Sequence, residues 1–222
     1  MKRKSLFSIE VLAYILKFVF GIVAIFMVYL MVKDAIELFD VLFTKHSELY
    51  NYGSLRKGDV KHPFLAYLYD HQYSIYGNNA TKIGDGVPFK TSIVLYYLFG
   101  VLSNFILFII CCIAVIFFHK ISERKVFDKK NARKLLLIAI LIIAIPLLNL
   151  VGDQIILHNT TKAINSVIDN KDNYLSPGVK FLGMDYTYLV TALFTLSLYF
   201  FVSKGEEEIE YSIKHLKDNQ KK

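Results

Sequence analysis

An all-α membrane protein, a four-helix transmembrane bundle with a small extracytoplasmic α/β cap, is the fold class this sequence predicts. Three observations predict it. Four apolar runs reach bilayer-spanning length; the composition is 55% hydrophobic with mean hydropathy +0.41; and nearly every charge lies between the runs. An α-helix rises about 1.5 Å per residue, so about 20 mostly apolar residues cross a hydrocarbon core of roughly 30 Å. Helix is the expected form because hydrocarbon offers no partner to a bare N–H or C=O.

Residues 1–32 comprise a short basic N-terminus and span one, whose apolar run is 11–32. MKRK before an apolar stretch imitates a secretory signal. The run is too long for one, its second half holds Phe20, Phe26, Met27 and Tyr29, and no small-residue cleavage pattern follows directly. It reads as a retained span. Lys17, one-third of the way along, is placed to snorkel toward the nearer interface.

Residues 33–92 form the expected extracytoplasmic segment, far longer than an ordinary connection. It opens with an amphipathic continuation of span one, Asp34 to Phe43, then turns to glycine-rich stretches and to VKHPFLAYLYDHQYSIYG, whose partial alternation predicts short strands. Tyr50, Tyr52, Tyr67, Tyr69, Tyr73 and Tyr76 would pack this cap or sit at the membrane interface.

Spans two and three occupy 93–157, with runs 93–118 and 135–157 joined by the basic loop 119–134. In VFDKKNARKLLLIA, Asp128 is placed to cap a helix that runs straight into span three. Pro146 would free a backbone carbonyl one turn earlier. A second outer loop, 158–180, predicts a short helix, NTTKAINSVIDN, and a turn at LSPGV. Span four is 181–203, and 204–222 predicts a charged tail helix.

Lys and Arg set the expected orientation. The N-terminus has Lys2, Arg3 and Lys4; the central loop has Lys120, Arg124, Lys125, Lys129, Lys130, Arg133 and Lys134; the loop after span three has far fewer. Positive loops stay in the cytoplasm, which predicts cytoplasmic N- and C-termini in a multi-pass protein of the cell inner membrane. The net charge of +7 then follows from topology and does not argue for nucleic acid; specific contact with the anionic head groups of membrane lipids is the lesser reading.

No catalytic constellation emerges. Cys111 and Cys112 are adjacent inside span two and read as small apolar side chains. His46, His62 and His71, with Asp59 and Asp70, match no zinc spacing, and there is no phosphate loop, GxSxG or HExxH. Asn79 and Asn159 head glycosylation-type triplets, which matter only in a eukaryotic secretory pathway. No cofactor and no metal are expected, and the reading is non-enzymatic.

Polar residues inside the spans are the better lead. Ser103 and Asn104 in span two, Asn149 and Asp153 in span three, and Thr191 and Thr195 in span four fall at similar depths. Asn149 and Asp153 are four apart, as are Thr191 and Thr195, so each pair shares a helix face. Unpaired amides are costly in hydrocarbon, so these faces are expected to meet inside the bundle as an intramembrane polar layer. In the tail, Ile209, Ile213 and Leu216 form an apolar stripe behind the acidic start Glu206, Glu207, Glu208 and Glu210. That stripe would dock on the basic loop or serve a partner.

Phe127, Asn131 and Leu135 at the entry to span three, with the acidic helix Glu206–Glu210 after span four, resemble a bacterial family of uncharacterised four-span proteins, the domain-of-unknown-function 2975 family. The layout matches along the whole chain, although the outer segment is long and the acidic-hydrophobic ending of many members is missing. The resemblance implies no established activity; some members look like partners of small helix-turn-helix regulators. Two function classes stay open. One is an accessory or regulatory subunit that binds another protein, or its own copy, through the cap or the tail. The other is a small transporter or lipid-handling protein that uses the polar bundle interior.

Overall fold

The computed structural model describes residues 9–43, 90–123, 128–165 and 186–219. They form four helices: α1 (Ile9–Phe43), α2 (Lys90–Ser122), α3 (Lys129–Asn165) and α4 (Tyr186–Asn219). All four are long and apolar enough to cross a membrane. This is a multi-pass, all-helical membrane protein among its described residues. No strand occurs among those residues, and the stretch where strands of a cap were expected, 60–77, lies outside them, as does the turn expected at 175–179. The cap tyrosines, the outer histidines, Asn79 and Phe127 lie outside them too.

Each helix outruns its apolar run. At 33 to 37 residues, the helices measure roughly 50–55 Å along their axes, against about 30 Å of hydrocarbon. The amphipathic stretch Asp34 to Phe43 belongs to α1 without a break. Two expectations are corrected. Asn159 to Asn165 is not a separate short helix but the end of α3, and the tail is not a separate helix but the second half of α4. The reason is the same in both. Hydropathy changes at the bilayer edge, whereas i→i−4 hydrogen bonding ends only where the backbone is interrupted. A lone Gly205 costs only about 1 kcal/mol in a helix interior. Thr160 and Thr161 return their hydroxyls to the carbonyls of Ile156 and Leu157, both at 2.8 Å, and so add no unpaired group to the end of α3.

The end of α2 and the start of α3 are each held by local polar chemistry. Ser122 Oγ donates to the His119 carbonyl at 2.7 Å, and Glu123 accepts from Lys120 at 2.8 Å with His119 Nε2 at 3.4 Å. Asp128 caps α3 as expected. Its carboxylate accepts the Lys130 N–H at 3.0 Å, and its carbonyl accepts the N–H groups of Asn131 and Ala132 at 2.7 and 3.0 Å. The cap also offsets the unfavourable placement of Lys129 and Lys130 at the positive end of a helix dipole.

The chain divides into two compact units. The first is Met1–Leu30, Ser103–Leu147 and Met184–Lys222; the second is Met31–Leu102 and Leu148–Gly183. In unit 1, all four helices meet around Ile110, Ala114, Ile138, Ile142, Ile145 and Ala192, with Phe20 packed against the cluster and stacked on Phe118 at 5.6 Å between ring centroids. A second cluster joins Phe117, Ala132, Leu135 and Val202. Alanines at these contacts let helix backbones approach closely, the route to packing where lipid tails are as apolar as Leu and burial alone drives nothing.

Unit 2 closes through glycine. A methyl group on Gly152 of α3 would lie 2.8 Å from Phe99 Cγ of α2, so the aromatic ring fills the place a side chain would take. Gly100 receives Asp34 of α1 in the same way, with Oδ2 3.2 Å from where a Cβ would stand. Lys90 Nζ donates to the carbonyl of Leu42 at 3.3 Å, joining the start of α2 to the end of α1.

Candidate functional site

Three rows of side chains in unit 1 face one another across unfilled space. On α2 the row is Leu107, Cys111, Ala114 and Phe118; on α3 it is Leu135, Ile138, Ile142 and Ile145; on α4 it runs from Thr187 to Val202. Spacings of three and four residues keep each row on one helix face. Phe20 and Val23 of α1 complete the wall. These rows leave an apolar chamber of about 770 Å³ that is open to one side, with the exposed rings of Phe194 and Phe201 in its lining.

The chamber is apolar in its chemistry as well as its lining. Thr191 Oγ1 donates to the Thr187 carbonyl at 2.7 Å and Thr195 Oγ1 to the Thr191 carbonyl at 2.8 Å. These hydroxyl protons serve their own helix. Cys111 is buried and Cys112 half-buried, both as free thiols. Among the described residues, no group of three or more His, Cys, Asp or Glu side chains is arranged to hold a metal.

The polar residues singled out from sequence are divided between the two units. Ser103 and Asn104, half-buried, belong to unit 1 with Thr191 and Thr195; Asn149 and Asp153 belong to unit 2. Thr195 is buried, but Thr191 is exposed although it lines the chamber. Asn149, expected inward, is exposed. It starts a row on α3 that becomes covered along its length, through half-buried Asp153 to buried Leu157 and Thr161. The expected cross-helix bonding of Thr191 and Thr195 is replaced by bonding within α4, because a threonine in a helix always has the i−4 carbonyl within reach.

The tail stripe is uncovered. Ile209, Ile213 and Leu216 are 44%, 48% and 64% exposed, so the stripe is left largely uncovered among the described residues. Tyr211, on another face, is also exposed and lies beside the His215 ring at 6.2 Å.

Sequence reasoning passed over two features. Asp34 read only as the first residue of an amphipathic stretch, yet it packs on Gly100. Asn131 read as one letter of a motif, yet it is wholly buried, accepting from Lys134 Nζ at 3.0 Å. The signal for Asn131 was present in its place just inside a capped helix start, directly before an apolar face. Asp34 had no such signal, since its partner lies on another helix.

Comparison with known proteins gave no match to a family model, a curated protein or a solved structure.

Proposed function

We propose that this is a non-enzymatic integral membrane protein, an accessory or regulatory subunit that binds another protein, and that the far half of α4 is its recognition element. One observation carries the reading. α4 leaves its apolar stretch without a break and holds Ile209, Ile213 and Leu216 uncovered along one side, behind Glu206, Glu207, Glu208 and Glu210. A helix of this kind is a ready ligand for a hydrophobic groove, read at i, i+4 and i+7. The acidic start favours a groove with a basic rim and disfavours burial in an anionic leaflet. The asymmetry of Lys and Arg supports placing this extension, with the N-terminus, on the cytoplasmic side of a cell inner membrane. The resemblance to the domain-of-unknown-function 2975 family suits the same role.

The alternative of a transporter with a polar interior has less support. Thr191 and Thr195 donate their hydroxyl protons within α4, and most of the side chains around the space they line are apolar. The experiment places a photo-crosslinking residue at Ile213 and, separately, at Glu207 in the full-length protein in native membranes. One defined protein partner captured from position 213 and lost in an Ile209→Ser/Leu216→Ser chain is the expected result. Equal capture of the same species from both positions would mean a solvated helix without a recognition face.

A further inference from the structure

One packing repeat runs along α4 from end to end. Tyr188, Ala192, Thr195, Tyr199, Val202 and Glu206 form a row of buried or half-buried residues, four and three apart in alternation. Ile209, Ile213 and Leu216 continue that alternation without a skip. Such a row drifts by about 20° per seven residues in a straight helix, so all three stay within about 40° of the direction of Val202. The uncovered stripe is the outer part of a packing seam. Ala192 packs with Ile110 and Ile142, and Val202 with Phe117, Ala132 and Leu135, so α4 runs toward the end of α2 and the start of α3. Beyond these last contacts α2 has about 8 Å left to Ser122, and α3 about 5 Å to Lys129. Ile209 stands about 10 Å beyond Val202, and Leu216 about 21 Å. The seam is uncovered because the helices it packs on have ended. Its edges differ in charge. Glu206 and Glu210 border one side, and Gly205 and Ser212 the other, where the Ser212 hydroxyl donates to the Glu208 carbonyl at 2.8 Å. At the start of α3, Lys129, Lys130 and Arg133 are exposed.

We propose that the stripe is completed by one amphipathic α-helix of a partner protein, seated where α2 and α3 would continue. Its basic flank lies against Glu206 and Glu210, and its C-terminal end points toward Lys129. This rests on reading α4 as the recognition element and adds what the partner presents to it. A repeat of four and three selects a helix, because near-parallel helices crossing at about 20° are what return a side chain to one seam every 3.5 residues. The seam already takes helices of this chain along its inner part, so the outer part continues an existing helix–helix interface. The carboxylates at its edge select a basic flank. The exposed Lys129, Lys130 and Arg133 suit the negative, C-terminal pole of the incoming helix. A second copy of this chain fits less well. Two tails leaving one membrane side by side would set Glu206 against Glu206, a like-charge pairing that costs affinity.

The probe is a labelled synthetic peptide of about three heptads, with Ile and Leu at the apolar positions and Lys on both flanks, which keeps it from pairing with itself. Binding to the full-length protein in phosphatidylcholine nanodiscs is read by fluorescence anisotropy against empty nanodiscs. The peptide should bind at least tenfold more tightly than one of the same composition whose apolar residues are respaced to form no stripe. It should also bind at least tenfold more tightly than one with Glu in place of Lys. Ile209→Ser/Leu216→Ser should remove the first difference, and Glu206→Gln/Glu210→Gln should shrink the second at least threefold. A photo-crosslinking residue at Ile213 should reach the peptide and one at Lys129 its last heptad, while one at Tyr211, on the opposite face, should not reach it. Binding that ignores spacing or flank charge, that survives both double substitutions, or that leaves Lys129 without a crosslink to the last heptad overturns the proposal. So does a disulfide between Ile213→Cys copies in native membranes that the unsubstituted chain does not form, since a second copy would then be the occupant. A native protein captured from Ile213 beside a peptide that shows no preference would sink the helical partner and leave the recognition role of α4 standing. Capture of neither would sink both.

Discussion

At Gly152 the absence of a side chain is what lets Phe99 lie against the backbone of α3. An alanine there would put its methyl 2.8 to 3.1 Å from the ring, and the ring is anchored on α2 and cannot simply swing aside. Gly152→Ala is therefore expected to destabilise the protein in detergent by about 1–3 kcal/mol, the usual cost of overpacking. Phe99→Leu in the same chain should recover part of that loss, and the two effects should be non-additive in thermal unfolding. Strict additivity would mean that the ring does not sit over Gly152. Asp128 makes a second residue-scale case. Asp128→Ala removes the acceptor for the Lys130 N–H and should cost about 1 kcal/mol, with most of it kept by Asp128→Ser. The Asp128 cap was readable from sequence because capping is decided within a few residues. The Phe99–Gly152 contact was not, since nothing in either local stretch states the register between α2 and α3.

Among the elements, α4 carries the most testable consequence. Its apolar part and its charged extension form one helix through Gly205, so orientation of the stripe is set by the membrane-crossing half. Gly205→Pro removes one backbone donor and clashes with the preceding turn, a penalty of about 3 kcal/mol in a helix interior. That change should leave membrane insertion and the helicity of the other three elements intact while it lowers partner capture at Ile213 severalfold. Circular dichroism and the crosslinking yield check the two halves of the statement. Unchanged capture would show that the stripe needs no rigid connection to the membrane. The same helix shows where hydropathy patterning stops being informative. The apolar runs located all four helices, because 20-residue runs have few other physical solutions in lipid. They misplaced the helix ends, because polar residues such as Thr160, Thr161 and Glu206 continue a helix as readily as they leave one. The chamber was hidden for a further reason. It arises from the register of Ala114 against Ala192 and of Phe20 against Phe118, and each belongs to a different stretch of chain.

For the molecule as a whole, charge decides the direction in which the helices cross. Lys2, Arg3 and Lys4, the loop between α2 and α3, and the end of α4 must share a side if four helices cross in alternation. Of the segments left over, 44–89 holds basic and acidic residues in similar number, and 166–185 carries little basic charge. A short loop rich in Lys and Arg resists translocation, whereas long, charge-balanced segments cross with little regard to sign. Both termini are therefore expected in the cytoplasm. A reporter active only outside the cytoplasm should be silent when fused after Lys222 and active when inserted beside Asn79. Replacing Lys129, Lys130, Arg133 and Lys134 with Gln should give a mixed population, since it removes most of the loop's basic charge without touching an apolar run. The N-terminal Lys2, Arg3 and Lys4 would still favour the original direction, so inversion should be partial. A reporter active after Lys222 in the unsubstituted chain would reverse the orientation. The α4 stripe would then face the extracytoplasmic side, and its partner would have to be sought there.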